Sequence, residues 1–338
     1  MNTFGNIFRF TDFGESHGAA VGGIIDGMPA GFPVDFQAIE AEMERRRPGT
    51  SALVTSRNEP DKVNFLSGIY EGRTLGTPIA FVIENTNARS VDYDVLRHTF
   101  RPNHADYTYF AKYGIRDHRG GGRASARETA ARVVAGAIAR QYLAAHGIMI
   151  AARAVRIGNV EIHNDKDRER ADEAIRRARA ERDTLGGIVE CIVSGVPAGL
   201  GEPVFGKLQA TLASAMMSIN AAKGFEYGDG FAAAGARGSE QVDEFYINDG
   251  KPHTRTNHSG GIQGGISNGE DIVFRVAFKP IATLPRPLDT ITDDMCETTV
   301  DVGGRHDICV VPRAIPVVEA MTAIAIMDAF LMARALKA

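Results

Sequence analysis

Two long apolar segments dominate the pattern of hydrophobic and polar positions along the chain. They lie at about residues 126–146 and 314–336, and each predicts a long buried helix. Shorter apolar runs such as DIVFRVAFKP, residues 271–280, predict strands. Residues 164–183 are so highly charged that they predict a solvent-exposed helix. Because short polar turns separate most of the strands, largely antiparallel sheets are expected rather than a doubly wound parallel sheet.

The same order of elements occurs twice. Residues 23–35 read GIIDGMPAGFPVD and residues 193–204 read VSGVPAGLGEPV. In both, a strand leads through G-x-P-A-G into a helix, predicted at 35–47 and at 206–220. Strand-like runs, a His–Asp segment and one of the two long apolar helices follow in both halves. The pattern therefore predicts an internal duplication.

A duplication of this kind predicts how the fold is organised. We expect a single domain over residues 1–338, with pseudo-repeats at about 1–147 and 186–338. The expected fold class is α+β: a layered β-α-β sandwich in which the two long helices lie in the centre between largely antiparallel sheets.

Composition and charge narrow the class of protein. The net charge of −4 and the pI near 6.2 argue against a nucleic-acid partner. The longest charge-free apolar stretch of the last helix, Ala320 to Met327, is too short to span a membrane. The start of the chain, MNTFGNIFRF, lacks the apolar run of a signal peptide. Three widely spaced cysteines fit a reducing cytoplasm, and no His/Glu spacing indicates a metal site.

The stretch HRGGGRASARETAARV, residues 118–133, predicts an anion site. Ser125-x-x-Glu128 is a capping-box pattern, so a helix is expected to start near Ala126 with free amides at its first turn. The three glycines allow a ligand to approach the backbone, and Arg123 and Arg127 add charged donors. The alternative is that Ser125 only caps the helix and that both arginines pair with carboxylates.

Other turns carry basic residues that strengthen the expectation of a polyanionic ligand. Arg46 lies at a predicted helix end, while Arg101 and Arg305 lie in the turns RPNHADYTY and GRHD. His17 and His104 lie on turns, where a functional histidine is favoured over a structural one. GEPVFGKL lacks the Ser or Thr of a Walker A motif, and no G-x-G-x-x-G opens a helix after a strand.

Taken together, the motifs resemble one family. FGESHG, RPNHADYTY, RGGGRASARETAARV, SINAAKG, GGIQGGISNG and GRHD followed by AIPVVEAM are similar to the motifs of chorismate synthases, in order from about residue 7 to residue 336. The resemblance implies a lyase of aromatic amino acid biosynthesis, in the shikimate pathway. It would eliminate phosphate from 5-enolpyruvylshikimate 3-phosphate in an anti 1,4-elimination, giving chorismate with reduced FMN and no net redox change.

The resemblance also implies roles for individual residues. His17 resembles the proton donor near the leaving phosphate, His104 the group that protonates or stabilises the reduced flavin, and Asp307 a carboxylate that relays a proton, with Ser16 beside them. Arg46, Arg101 and Arg127 resemble the groups that bind the substrate anions. The residues that resemble the FMN-binding set are Arg123, Ala124, Ser125, Asn220, Ala221, Gly264, Lys279, Pro280, Ile281, Ala282, Thr283 and Arg305.

The resemblance has departures and leaves alternatives open. Ala52 stands where many relatives have Arg, Asn103 where Gly is usual and Ile308 where Pro is usual. The main alternative is an FMN-dependent NAD(P)H oxidoreductase, and a second is a flavin- or phosphate-binding module without catalysis. The family is commonly homotetrameric, and reduced FMN would come from an external reductant or from an intrinsic NADPH reductase activity.

Overall fold

The computed structural model describes residues 1–47, 60–86, 96–301 and 307–336 of the chain. The helices within them are α1 (Phe36–Arg46), α2 (Asp106–Tyr113), α3 (Thr129–Ala144), α4 (Asp165–Ala180), α5 (Leu208–Met217) and α6 (Val311–Leu336). The strands are β1 (Thr3–Phe4), β2 (Arg9–Gly14), β3 (Ala20–Asp26), β4 (Val63–Phe65), β5 (Ile69–Tyr70), β6 (Arg73–Thr74), β7 (Ile79–Glu84), β8 (Met149–Ile157), β9 (Val160–Glu161), β10 (Gly187–Ser194), β11 (Ala222–Tyr227), β12 (Phe245–Asn248), β13 (Lys251–Thr254), β14 (Ile262–Gln263), β15 (Ile266–Ser267), β16 (Ile272–Phe278), β17 (Leu288–Ile291) and β18 (Glu297–Val300).

Two five-stranded sheets form the outer layers of the domain. The first sheet has the strand order β1-β2-β3-β7-β4 and the second has the order β9-β8-β10-β16-β11. Every neighbouring pair in both sheets is antiparallel. In each sheet the strand that precedes G-x-P-A-G, β3 or β10, is central and pairs with a later strand, β7 or β16. Four of the five strands in each sheet therefore follow the same order. The duplication itself stays a prediction, and this correspondence supports it.

Buried and half-buried side chains alternate along the strands, which explains why one face of each sheet packs against the central layer. In β10, Val189, Cys191 and Val193 are buried, while the residues between them are only half-buried. On the opposite face of the second sheet, Glu190 accepts hydrogen bonds from both Arg153 and Arg275 on the neighbouring strands. The predicted antiparallel architecture is therefore confirmed, with one apolar face and one polar face.

The central layer consists of α3 and α6, which pack along each other. α3 also contacts β2, β3 and β7 of the first sheet, whereas α6 contacts β8 and β10 of the second. The two helices approach each other closely at Gly136, because a Cβ built there would lie 2.3 Å from the Ala320 Cα. The layered β-α-β arrangement expected from the sequence is the observed one, and a single core cluster extends through both halves.

The apolar composition of α6 explains why this helix lies in the core. It is long and apolar enough to cross a membrane, but 78% of its most apolar window is buried inside the protein, which is typical of a core helix. Its buried carboxylates are held by distant partners. Glu319 accepts hydrogen bonds from the Ala152 amide and the Arg45 guanidinium, at 2.8 and 2.6 Å. Asp328 accepts from the three consecutive amides of residues 6–8, and so joins the start of the chain to its last helix.

The remaining predicted elements are found with shifted ends. The helix expected near Ala126 begins with a single 3₁₀ turn, Ala126–Glu128, before α3. The charged segment forms α4, which buries only Ala171, Ile175 and Ala178. That exposed helix is therefore confirmed, and its three small or apolar residues explain how it stays docked on the second sheet.

Candidate active site

A cavity of about 380 Å³ lies at the starts of the two central helices. Both halves of the chain line it, which places most of the residues singled out in the sequence on one surface. From the first half come His17, Arg46, Arg101, His104, Ala124 and Ser125; from the second come Asn220, Ala221, residues 279–283, Asp307 and Arg313. Residues from His17 to Val317, which are far apart in the sequence, therefore converge on this cavity.

The glycine run positions His17. Gly120 has a φ of +120°, and a Cβ built on it would lie 2.3 Å from Nδ1 of His17. Only glycine allows the imidazole to lie this close to the backbone in that conformation. Ser16 is next to the ring, with its Oγ 3.1 Å from His17 Nδ1, and its amide donates to the Gly122 carbonyl. The glycines thus hold the FGESHG turn against the start of α3.

His104 is fixed by hydrogen bonds at both ring nitrogens. Nδ1 lies 2.9 Å from the Pro102 carbonyl, which can only accept, so Nδ1 carries the proton. Nε2 lies 3.1 Å from the Thr283 hydroxyl, which then donates to it. Burial, reinforced by the nearby Arg101 guanidinium, lowers the pKa of His104. At neutral pH the ring is therefore neutral and presents an acceptor nitrogen to the second half of the chain.

The cavity wall carries more cations than carboxylates. Arg46 is only 2% exposed, and its Nη1 donates to Asp61 at 3.0 Å while Nη2 donates to the Ala126 carbonyl. Burial and repulsion from Arg313 lower the pKa of Arg46 to about 9, although Asp61 opposes the shift. The group remains charged at pH 7. An anion that entered the cavity would relieve this repulsion and would be bound more tightly for that reason.

Two further arginines of the cavity wall are held by carboxylates. Arg101 makes a two-pronged pair with Asp106, in which both N–O distances are 2.8 Å and both residues are buried. Arg313 donates from Nη1 to Asp307 at 2.5 Å. Because a guanidinium has five donors and a carboxylate accepts only some of them, pairing of this kind orients the arginine without exhausting it.

Arg123 and Arg127 turn away from this cavity. Arg123 donates to the Asp12 carboxylate at 2.7 Å and to the Gly14 carbonyl, and it lines a neighbouring cleft of about 730 Å³. Arg127 bonds to Asp61 and to the Asn85 side chain. Both arginines therefore pair with carboxylates, which are buried rather than on the surface. Their roles in binding FMN and the substrate stay predictions. Their backbone still forms the turn that leads to Ser125.

The capping box expected at Ser125 is only half present. The Ser125 side chain accepts from the Arg127 amide at 3.3 Å, as an N-cap does. The Glu128 carboxylate accepts instead from the Arg132 Nε, at 2.8 Å, while the Ser125 amide donates to the Gly122 carbonyl. The prediction of a reciprocal box was wrong because the half-buried Arg132, one turn later, offers Glu128 a charged donor, which makes a stronger hydrogen bond than an amide.

Glu128 lies buried beside Asp12, and burial raises its pKa to about 8. Its carboxyl group is then protonated at neutral pH and can donate a hydrogen bond to Oδ2 of Asp12. Among the described residues, that oxygen accepts no other hydrogen bond. Since the unfolded pKa is near 4.5, the folded state holds one more proton between these two values. The stability contributed by this proton is complete below pH 4.5 and is lost as the pH rises through 8.

Replacing Glu128 with Gln should flatten this pH dependence. The amide keeps the shape of the side chain and can donate to Asp12 at every pH, so the melting temperature of the variant should fall less than that of the wild type between pH 5 and pH 9. Thermal unfolding across this range measures the effect. The exposed Glu173 of α4, changed to Gln, is the matched control. Parallel wild-type and Glu128→Gln curves would show that Glu128 does not hold the proton.

The residues at the cavity fit a flavin phosphate and a ring with an imide. Asn220 donates from Nδ2 to the Ala124 carbonyl, while its buried Oδ1 has no partner among the described residues and can accept from a ligand N–H. Lys279 supplies a cation at the rim, and Thr283 supplies a hydroxyl. Gly264 lies in the turn between β14 and β15, outside the lining of this cavity. Arg305 lies outside the described residues.

One of the three departures from the family pattern has a structural explanation. Asn103 has a φ of +59°, the left-handed region in which Gly is favoured and Asn is among the best-tolerated substitutes. The turn before His104 therefore keeps its shape. Ile308 packs against the core, and its carbonyl accepts from the Leu185 amide. Ala52 lies outside the described residues.

Sequence reasoning missed Arg313, Asp61 and Asp106. Arg313 stands in the first turn of α6, where the helix dipole disfavours a cation, and this misplaced charge was the available signal. The two aspartates carry no local signal, since their partners are set by the tertiary fold. Among the described residues, no cluster of three or more His, Cys, Asp or Glu side chains could hold a metal ion.

Comparisons with known proteins agree with this geometry. The family model described as chorismate synthase matches residues 8–331. The chain is 53% identical to a chorismate synthase of Bacteroides fragilis, over 99% of both chains. It is 55% identical to one of Azobacteroides pseudotrichonymphae, over 98% of this chain and 99% of the relative. A solved structure described as a crystal structure of chorismate synthase has a TM-score of 0.77 and 33% identity, over 97% of this chain and 92% of its own.

Proposed function

The chain belongs to the chorismate synthase family, and we propose that the cavity at the starts of α3 and α6 is its active site. The family activity is that of a lyase, which eliminates phosphate from 5-enolpyruvylshikimate 3-phosphate to give chorismate. The comparisons do not favour the alternative of an NAD(P)H oxidoreductase. The proposal concerns the place of the reaction and the residues that perform it.

One observation carries the proposal: cations outnumber carboxylates on the wall of a cavity that also presents two histidines. The cations are Arg46, Arg101, Lys279 and Arg313, against Asp106 and Asp307. The substrate carries a phosphate and two carboxylates, and FMN carries a further phosphate. A net positive wall of low dielectric attracts such ligands and binds them more strongly than exposed charges would.

The histidines and Asp307 supply the proton chemistry. His17 is held beside Gly120 and Ser16, where it can protonate the departing phosphate. His104 is fixed in one tautomer with Nε2 turned to Thr283, and can exchange a proton with a ligand that displaces that hydroxyl. Asp307, held by Arg313, is the carboxylate that would relay a proton to or from the bound ligands. Reduced FMN held at this site would supply the electron that the elimination needs, with no net change in its own redox state.

A second set of residues is proposed to bind reduced FMN. Asn220 accepts from the ring imide through its unpartnered Oδ1, and the backbone of Ala124 and Ser125 gives the adjacent wall. Burial and the nearby Lys223 lower the pKa of Lys279. A phosphate beside it would reverse that shift. Residues 280–283 continue the same rim, whereas Gly264 and Arg305 belong to the set by resemblance alone.

We further propose a homotetramer in the cytoplasm that receives reduced FMN from an external reductant. Apolar side chains exposed on the hairpin β12–β13, Phe245 and Ile247, with Phe231 nearby in sequence, support burial by another subunit. Light scattering on the purified protein tests the assembly. Assays with NADPH in place of chemically reduced flavin test whether the chain reduces FMN by itself.

The reaction itself is tested anaerobically. Purified protein is mixed with 5-enolpyruvylshikimate 3-phosphate and chemically reduced FMN, and release of phosphate is followed together with flavin absorbance. We expect phosphate and chorismate in equal amounts, an absolute requirement for reduced flavin, and no net consumption of the flavin. Stoichiometric flavin oxidation, or binding of FMN with no release of phosphate, would contradict the proposed site chemistry.

A further inference from the structure

Arg313 joins three parts of the cavity wall. Its Nε donates to the Arg46 carbonyl at 3.0 Å, and its Nη1 donates to the Asp307 carboxylate at 2.5 Å. Its side chain is 18% exposed and that of Asp307 is 10% exposed, and both residues line the cavity. None of the other described ion pairs of the cavity links a candidate proton-exchanging carboxylate to a helix end in this way.

The position of Arg313 is set by the ends of two helices. Arg46 is the last residue of α1, so its carbonyl is one of those that no amide of α1 can satisfy. A guanidinium at this end satisfies the carbonyl and meets the negative end of the α1 dipole. The same guanidinium sits in the first turn of α6, where its charge is unfavourable. The Asp307 carboxylate, just before that turn, pairs with the positive guanidinium and interacts favourably with the positive end of the α6 dipole.

Because the guanidinium is planar, its hydrogen bonds to two partners fix the orientation of the whole group. With Nε fixed on the Arg46 carbonyl, the plane of the group and the direction of Nη1 are both determined. Nη1 therefore constrains where the Asp307 carboxylate can lie. Repulsion between the guanidinium groups of Arg46 and Arg313 also contributes to the lowered pKa of Arg46.

We propose that Arg313 is a positioning residue of the reaction, which holds the Asp307 carboxylate in the place from which it exchanges a proton with the bound ligands. The inference rests on the function proposed for Asp307. It assigns Arg313 no direct contact with substrate or flavin, and its positive charge is offset by the paired Asp307 carboxylate. Removal of its guanidinium should therefore slow turnover far more than it weakens substrate binding. A carboxylate displaced by about 1 Å loses roughly 10²-fold in rate.

The test is a double-mutant cycle on turnover with chemically reduced FMN. Arg313→Gln should lower kcat about 10- to 100-fold and change the substrate KM by less than about 3-fold. Asp307→Asn should lower kcat by itself. In the Asp307→Asn background, Arg313→Gln should cost less than a further factor of about 3, because there is no proton exchange left to position. Arg313→Lys, whose ammonium can still reach the carboxylate, should recover part of kcat relative to Arg313→Gln.

Arg334, in the exposed last turn of the same helix, provides the matched control as Arg334→Gln, with normal kcat expected. A raised KM with normal kcat would make Arg313 an anion-binding residue and overturn the inference, as would losses that multiply in the double mutant. Normal turnover of Asp307→Asn would instead remove Asp307 from the proposed function. If Arg313→Gln does not fold, Arg313→Lys carries the same cycle, and full additivity there would overturn the inference.

Discussion

Replacing His17 with Ala is expected to lower turnover by roughly 10²- to 10⁴-fold, the typical contribution of a positioned general acid. The ring lies against Gly120 with Ser16 beside it, and the substitution removes the imidazole while leaving the backbone of this turn unchanged. Flavin affinity should change little, because the proposed flavin contacts lie around Asn220 and Lys279 on the other half of the chain. Phosphate release and flavin fluorescence measure the two quantities separately.

The control for this substitution is His163→Ala, since His163 is exposed and distant in sequence from every cavity residue. Wild-type turnover in His163→Ala and loss in His17→Ala are both required. Turnover of His17→Ala within about threefold of wild type would exclude His17 as the proton donor. A loss caused only by weaker flavin binding would recover at saturating flavin, and that result would also contradict the assigned role.

Replacing Gly136 with Ala is expected to destabilise the protein, although helix propensity alone predicts the opposite sign. In an exposed helix this change stabilises by about 1 kcal/mol. Here the new Cβ would lie 2.3 Å from the Ala320 Cα and 2.4 Å from its Cβ, and the first of these is backbone that no rotamer change can move. Overpacking of this kind costs about 1–3 kcal/mol. We expect a net loss of about 1–2 kcal/mol and, for a domain of this size, a melting temperature lower by roughly 1–3 °C.

Gly235→Ala is the matched control for this prediction, because nothing lies within 4 Å of a Cβ built at Gly235. Thermal and denaturant unfolding of both variants should show a loss only for Gly136→Ala. An unchanged or higher stability of Gly136→Ala would mean that α3 and α6 can separate by the width of a methyl group without penalty. That would contradict the close packing on which the central layer depends.

The sequence predicted the parts of the fold that depend on local pattern. Apolar runs with few charges identified α3 and α6, and alternation identified strands such as β16. The glycine run and the motif resemblance brought His17, His104 and Asp307 to the same cavity. Each of these signals lies within a dozen neighbouring residues, and such signals survive in a single sequence.

The partners of the arginines could not be predicted in the same way. Arg123 pairs with Asp12 and Arg127 with Asp61, and in each case the partner is far away in the sequence. Nothing local distinguishes an arginine that faces a ligand from one that faces a buried carboxylate, because both are charged donors in a turn. The fold decides between them, and it also determines why Glu128 meets Arg132 rather than the Ser125 amide.

The bond network around Asp328 has a consequence for how the protein is made. Synthesis of the whole chain takes about 20 to 70 s at roughly 5–20 residues per second. Throughout most of that time the amides of residues 6–8 lack the carboxylate that will satisfy them, because it belongs to α6, near the end of the chain. During the same time α3, which packs on the first sheet, also lacks its packing partner α6. The amino-terminal half of the nascent chain therefore cannot complete its core until α6 has been synthesised. Until then its apolar surface is accessible to chaperones.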